Sequence, residues 1–115
     1  MQESAGGGAG AIRSPSQAKA NPNDGEQRFH LLLFGQVQGV GFRLFAQREA
    51  ARHAVQGWVR NREDGAVEVW AEGAMEPLTA FLNQLLIGPI GAAVRDYQVE
   101  WGAPTGRYSS FHIRE

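Results

Sequence analysis

From residue 28 onward the sequence predicts an α+β two-layer sandwich, on two observations. Two stretches carry apolar residues at helical spacing, and the stretches around them alternate or run apolar as strands do. Their order is β-α-β-β-α-β with one short strand at the end, which lets both helices pack on one face of an antiparallel sheet. That is the ferredoxin-like arrangement, which many unrelated proteins share, so function has to come from particular residues.

The first strand spans Arg28 to Val37 and is apolar from Phe29 to Phe34, apart from His30. A first helix, Phe42 to His53, sets Phe42, Phe45, Ala46 and Ala50 on one side. The second and third strands, Gln56 to Asn61 and Ala66 to Ala71, are joined by a hairpin with Asp64-Gly65 as its turn signal. In the third, Val67, Val69 and Ala71 alternate with Glu68, Trp70 and Glu72, the pattern of a half-buried strand. The second helix carries Leu78, Phe81, Leu82 and Leu85 at i, i+3, i+4 and i+7. Pro77 stands near its first turn and Gly88-Pro89 closes it. A fourth strand covers Ala93 to Trp101, and a short fifth, Ser109 to Arg114, puts Phe111 and Ile113 on one side.

Residues 1–27 read differently. They are rich in Gly, Ala, Ser, Pro, Asn and Gln, and after Met1 only Ile12 is a large apolar residue. Such a segment buries too little apolar surface to offset its ordering entropy, so a disordered tail is expected ahead of a 28–115 domain. The chain of 115 residues has room for one core. It contains no cysteine, which rules out disulfides, thiol nucleophiles and Cys-ligated zinc and fits a reducing, cytoplasmic setting. No apolar run approaches the ~20 residues that cross a bilayer, and no secretory signal is visible. From Arg28 onward nine arginines balance nine acids, so the domain lacks the basic stripe that nucleic-acid binding needs.

Chemistry concentrates in two blocks. Gly35-Gln36-Val37-Gln38-Gly39-Val40-Gly41-Phe42-Arg43 links the first strand to the first helix. A strand, a glycine-rich turn and a helix N-terminus together can present several backbone N–H groups to an anion. Arg43 adds a planar, permanently charged fork suited to two phosphate oxygens. Such turns can also simply close a tight corner. No Gly-Lys-Ser/Thr follows, and Leu44 stands where a dinucleotide fingerprint needs its third glycine. The second block is Gly57-Trp58-Val59-Arg60-Asn61-Arg62-Glu63-Asp64-Gly65-Ala66-Val67-Glu68-Val69. Asn61 lies where the second strand runs out. Its amide either serves turn geometry or, with a donor and an acceptor, holds a water in a chosen direction.

Together the two blocks resemble the acylphosphatase family. Gly35 through Arg43 is similar to its G-x-V-Q-G-V-x-F-R signature, and Gly57 through Glu68 to its G-W-V-x-N-x-x-D-G-x-V-E. The single short helix between them also fits, as does Leu86-Ile87-Gly88-Pro89 followed by Ala92-Ala93-Val94. The resemblance covers residues 28 to 115. It implies the ferredoxin-like fold and hydrolysis of a carboxyl-phosphate anhydride to a carboxylate and inorganic phosphate. The backbone of Gln36, Val37, Gln38, Gly39 and Val40 with Arg43 would bind the phosphate, and Asn61 would orient the attacking water. With Arg43, Asn61 is the expected catalytic residue. Arg60 or Arg62 could add positive potential. Where many relatives carry a bulkier residue before Phe42, this chain has Gly41, which on its sequence reads as a loosening of the loop by ~0.5–1 kcal/mol.

No metal or cofactor is expected, because the acids show no ligand-like clustering and the histidines are scattered at 30, 53 and 112. His30 and His112 read as strand residues facing solvent or lining the sheet, and His53 as a complement to the helix dipole. A small-molecule acyl phosphate is the expected partner of a monomeric protein, with no nucleic acid or membrane involved. The alternative is a non-catalytic ferredoxin-like module that binds an anion or a partner chain, for which Asn61 is superfluous. An RNA-recognition domain of the same topology would need an aromatic, basic central strand, and Ala-Val-Glu-Val-Trp is acidic.

Overall fold

The structure, a computed structural model, describes residues 25–115. Its elements are β1 (Glu26–Gln36), α1 (Phe42–Arg52), β2 (Gln56–Asn61), β3 (Val67–Ala74), α2 (Met75–Ile87), β4 (Ala93–Gly102) and β5 (Phe111–Ile113). The expected tail lies outside the described residues except at its end, where Glu26 and Gln27 already belong to β1 and pair with Ala74 and Gly73. The two strands run on together, so the ordered sheet starts two residues before the expected domain boundary.

One sheet holds all five strands in the order β4-β1-β3-β2-β5. The three pairings among β1 to β4 expected of a ferredoxin-like sandwich are antiparallel, but β5 lies parallel to β2, so the sheet is mixed rather than wholly antiparallel. The chain returns from β4 through residues 103–110 before laying down β5, and that detour reverses the strand's direction relative to a hairpin.

Phe29, Leu31 and Leu33 of β1 and Val67, Val69 and Ala71 of β3 are fully buried beneath the helices. The helices meet them with the predicted stripes: Phe42, Ala46 and Ala50 of α1, and Leu78, Phe81, Leu82 and Leu85 of α2. Each large side chain so buried contributes about 1.5–3 kcal/mol. Phe81 stacks on Phe29 and meets Phe111 edge-on, tying β5 to the core.

On the opposite face, Glu68 and Glu72 do not meet water as their alternation suggested; both are buried. Glu68 accepts hydrogen bonds from His30 Nε2 and Arg60 Nε, both at 2.6 Å. Glu72 accepts from Thr105, from Trp70 Nε1 and from the Gly106 amide, which pins the 103–110 segment to the sheet. Burial pushes both carboxyls up most strongly, but the hydrogen bonds together outweigh it and hold both below the usual range. A depressed native pKa gives stability that is complete above the unfolded value of ~4.3 and is lost as pH falls through the carboxylate range. Thermal melts between pH 7 and pH 3 should therefore show a smaller acid loss in Glu68→Gln and Glu72→Gln than in the parent, from a lower Tm at pH 7. Parallel melting curves for parent and variants would show that these carboxylates do not link folding to pH.

The register also sets the site. Val67 pairs with Leu33 of β1 on one side and Asn61 of β2 on the other. With strands ~4.8 Å apart, Asn61 stands about 10 Å across the sheet from Leu33, at the end where β1 runs into the glycine-rich loop.

Candidate active site

At that end β1 breaks its regular pairing with β4 between Phe34 and Gly35. Gly35 has φ +122°, and a Cβ there would come within 2.2 Å of the Ala93 carbonyl oxygen. Its place in the motif is thus explained by the close approach of two strands, not by an anion. Gly41 is also more than a slack point. It caps α1 in the left-handed region, φ +77° and ψ +23°, with open space around it. The glycine adopts without strain a conformation in which a bulkier residue is strained, which accounts for its place at the entry to the helix.

Between these points the loop leaves its donors uncommitted. The backbone N–H groups of Val37, Gln38, Gly39, Val40 and Gly41 donate to no other described residue. The first orphan N–H groups of α1 follow directly. The loop curls beside a cavity of about 270 Å³, which Val37, Gly39 and Gly41 line from one side. Phe42, Arg43 and Leu44 of the first helical turn, Asn61 at the end of β2, and Ile113 of β5 line the rest. Arg43 and Asn61, eighteen positions apart in sequence, thus share one cavity.

Two of the residues expected to cradle phosphate use their side chains elsewhere. Gln38 Nε2 donates to the carbonyls of Arg62 and Ala66 at 2.8 and 2.9 Å. Both carbonyls belong to the hairpin that follows Asn61, so this amide ties the loop to the strand bearing Asn61. Gln36 Nε2 reaches the Gly91 carbonyl at 3.3 Å. Val37 is fully buried, and Val40 packs partly against the core. Their side chains thus anchor the loop, leaving only main chain to face a ligand. Sequence alone had no signal for these anchors, because each partner lies 24 to 55 residues away.

Arg43 is half-buried and makes no ion pair with a described residue. The two arginines that could have assisted it are committed: Arg60 to Glu68, and Arg62 to Asp64 through Nε and Nη2 at 3.2 and 3.0 Å. Positive charge at the cavity therefore rests on Arg43. Asn61 presents a buried carbonyl oxygen, Oδ1, with no hydrogen-bond partner among the described residues. Buried acceptors are ordinarily paired. Asn61 is the exception among the residues that line this cavity.

The loop with free amides, Arg43 and Asn61 thus border one cavity. The family model described as Acylphosphatase matches residues 29–113. The chain belongs to the acylphosphatase family. It is 43% identical over 86 residues to an acylphosphatase of Bacillus licheniformis, covering 75% of this chain and 96% of the relative. An acylphosphatase of an Anaeromyxobacter species is 47% identical over 87 residues, covering 76% and 94%. The crystal structure of acylphosphatase from Bacillus subtilis superposes with a TM-score of 0.75 at 36% identity, over 77% of this chain and 99% of that one. Acylphosphatases are hydrolases acting on acid anhydrides, and this chain is an enzyme of that class. Among the described residues no three His, Cys, Asp or Glu side chains are placed to hold a metal, and no described helix is long and apolar enough to cross a membrane.

Proposed function

We propose that the protein hydrolyses acyl phosphates by direct attack of water, without a metal, and that Arg43 and Asn61 are its catalytic residues. The observation that carries this is the shared cavity: free loop amides and Arg43 on one side, the unpaired Asn61 Oδ1 on another. Main-chain N–H groups of residues 36–40 and the Arg43 guanidinium hold the phosphoryl oxygens and take up charge developing on them. Asn61 Oδ1 accepts a hydrogen bond from the attacking water and aims its oxygen at phosphorus, opposite the leaving group. The new P–O bond forms as the bond to the acyl oxygen breaks, and the electron pair leaves with the carboxylate. The water's proton passes to a non-bridging phosphoryl oxygen, so the products are a carboxylate and dihydrogen phosphate. No protein base is needed, because the leaving carboxylate is already a good one. The absence of cysteine, and of any His or Asp from the loop, supports water over a covalent phosphoryl acceptor. The enzyme is taken to act as a cytoplasmic monomer that needs neither nucleic acid nor membrane.

The test is hydrolysis of benzoyl phosphate by the purified protein in EDTA, with inorganic phosphate as inhibitor. Turnover that persists in EDTA and competitive inhibition by phosphate are expected. Phosphate at ~100 times its Kd should stabilise the fold by about 2.7 kcal/mol, a Tm rise on the order of 10 °C for a domain this size. A folded protein that binds phosphate but leaves benzoyl phosphate intact would reassign the site to anion binding alone.

A further inference from the structure

The cavity, about 270 Å³, is bounded by more than Arg43, Asn61 and the glycine-rich loop. The remaining wall carries two apolar side chains that packing leaves open: Leu44 is 46% exposed and Ile113 is 39% exposed, and both line this cavity. They come from different elements, the first turn of α1 and the edge strand β5.

A second hollow, about 590 Å³, lies against Arg60, Arg62, Glu63, Asp64 and Glu115, and it shares only Asn61 with the first. Asn61 is thus the residue that a largely apolar recess and a charged one have in common. In-line displacement decides between them. The attacking water sits at Asn61, so the leaving group departs on the far side of phosphorus. An acyl group running into the charged hollow would have to pass the water. Leu44 and Ile113 are the exposed apolar side chains of the recess that also holds Arg43, so the acyl group of a phosphate held by Arg43 lies against them.

Resting on the proposed reaction at this site, we infer that Leu44 and Ile113 form the acyl-group subsite and select acyl phosphates with an apolar acyl chain or ring over those with a second carboxylate. Arg43 fixes the phosphate whatever the acyl group is. The apolar pair supplies discrimination by burying carbon and by failing to solvate a charge.

The test compares kcat/KM for benzoyl phosphate and succinyl phosphate in the parent, Leu44→Ala and Ile113→Ala. Reading the ratio between substrates, variant against parent, cancels their intrinsic reactivities. Each variant should lower kcat/KM for benzoyl phosphate about three- to tenfold more than for succinyl phosphate, the range for removing a few methylenes from one pocket wall. The Ki of inorganic phosphate should not move, which separates a lost acyl contact from a distorted cradle. Equal losses on both substrates, or none on either, would overturn the subsite while leaving the acylphosphatase reaction intact. Absence of turnover on any acyl phosphate by the parent would overturn that reaction and the subsite with it.

Discussion

Arg43→Ala should lower kcat for benzoyl phosphate at least ~10³-fold while leaving the fold intact. The size of the effect follows from how charge is distributed around the cavity. Arg60 and Arg62 are held by Glu68 and Asp64, so neither is poised to replace a lost guanidinium. The loop amides and the first turn of α1 remain, and they still attract an anion. Phosphate binding should therefore weaken less than turnover, because the amides hold a ground-state phosphate whereas the fork meets charge spreading over the equatorial oxygens. Folding should be spared: Arg43 has no described ion-pair partner, and alanine is the best helix former at an early helical position. Steady-state kinetics beside a melting curve decide the matter. A variant that melts with the parent and turns over near normally would remove Arg43 from the mechanism.

Asn61→Ala should act differently, lowering kcat on the order of 10²-fold with the Ki of inorganic phosphate within about threefold of the parent. In the proposed mechanism the side chain aims a water and does not grip the phosphate. Its loss removes an orienting acceptor whose open Oδ1 has no structural duty among the described residues. Matched losses in kcat and phosphate affinity would instead show that Asn61 shapes the hairpin, and the water would need another guide.

The loop that lines the candidate cavity was legible in the sequence because a glycine-rich turn leaves a trace that isolated side chains do not. It needs glycines, a strand before it and a helix after it, and each has a periodic or compositional sign. The core was legible for the same reason: the stripes of α1 and α2 and the alternation of β3 are what burial selects. What stayed hidden depends on partners distant in the chain. Glu68 and Glu72 alternate with small or apolar residues whether the far face meets water or, as here, His30, Arg60 and Thr105. The direction of β5 is not encoded in three residues, but follows from where the 103–110 segment delivers the chain. Gly35 and Gly41 share a composition signal, yet one answers a carbonyl 2.2 Å from its missing Cβ and the other a left-handed cap. The side chains of Gln36 and Gln38 carried no sign of turning away from the ligand, since only the fold shows where their carbonyl partners lie.

The Gln38 clamp has a consequence for any partly formed state of this enzyme. Arg43 reaches the cavity only with α1 seated on the sheet, and Asn61 only with β2 paired along β3. A single amide then closes the assembly by binding carbonyls 24 and 28 positions further along the chain. No excised fragment and no intermediate lacking one of these elements can assemble the centre. Activity should then fall together with the native population through a two-state unfolding transition.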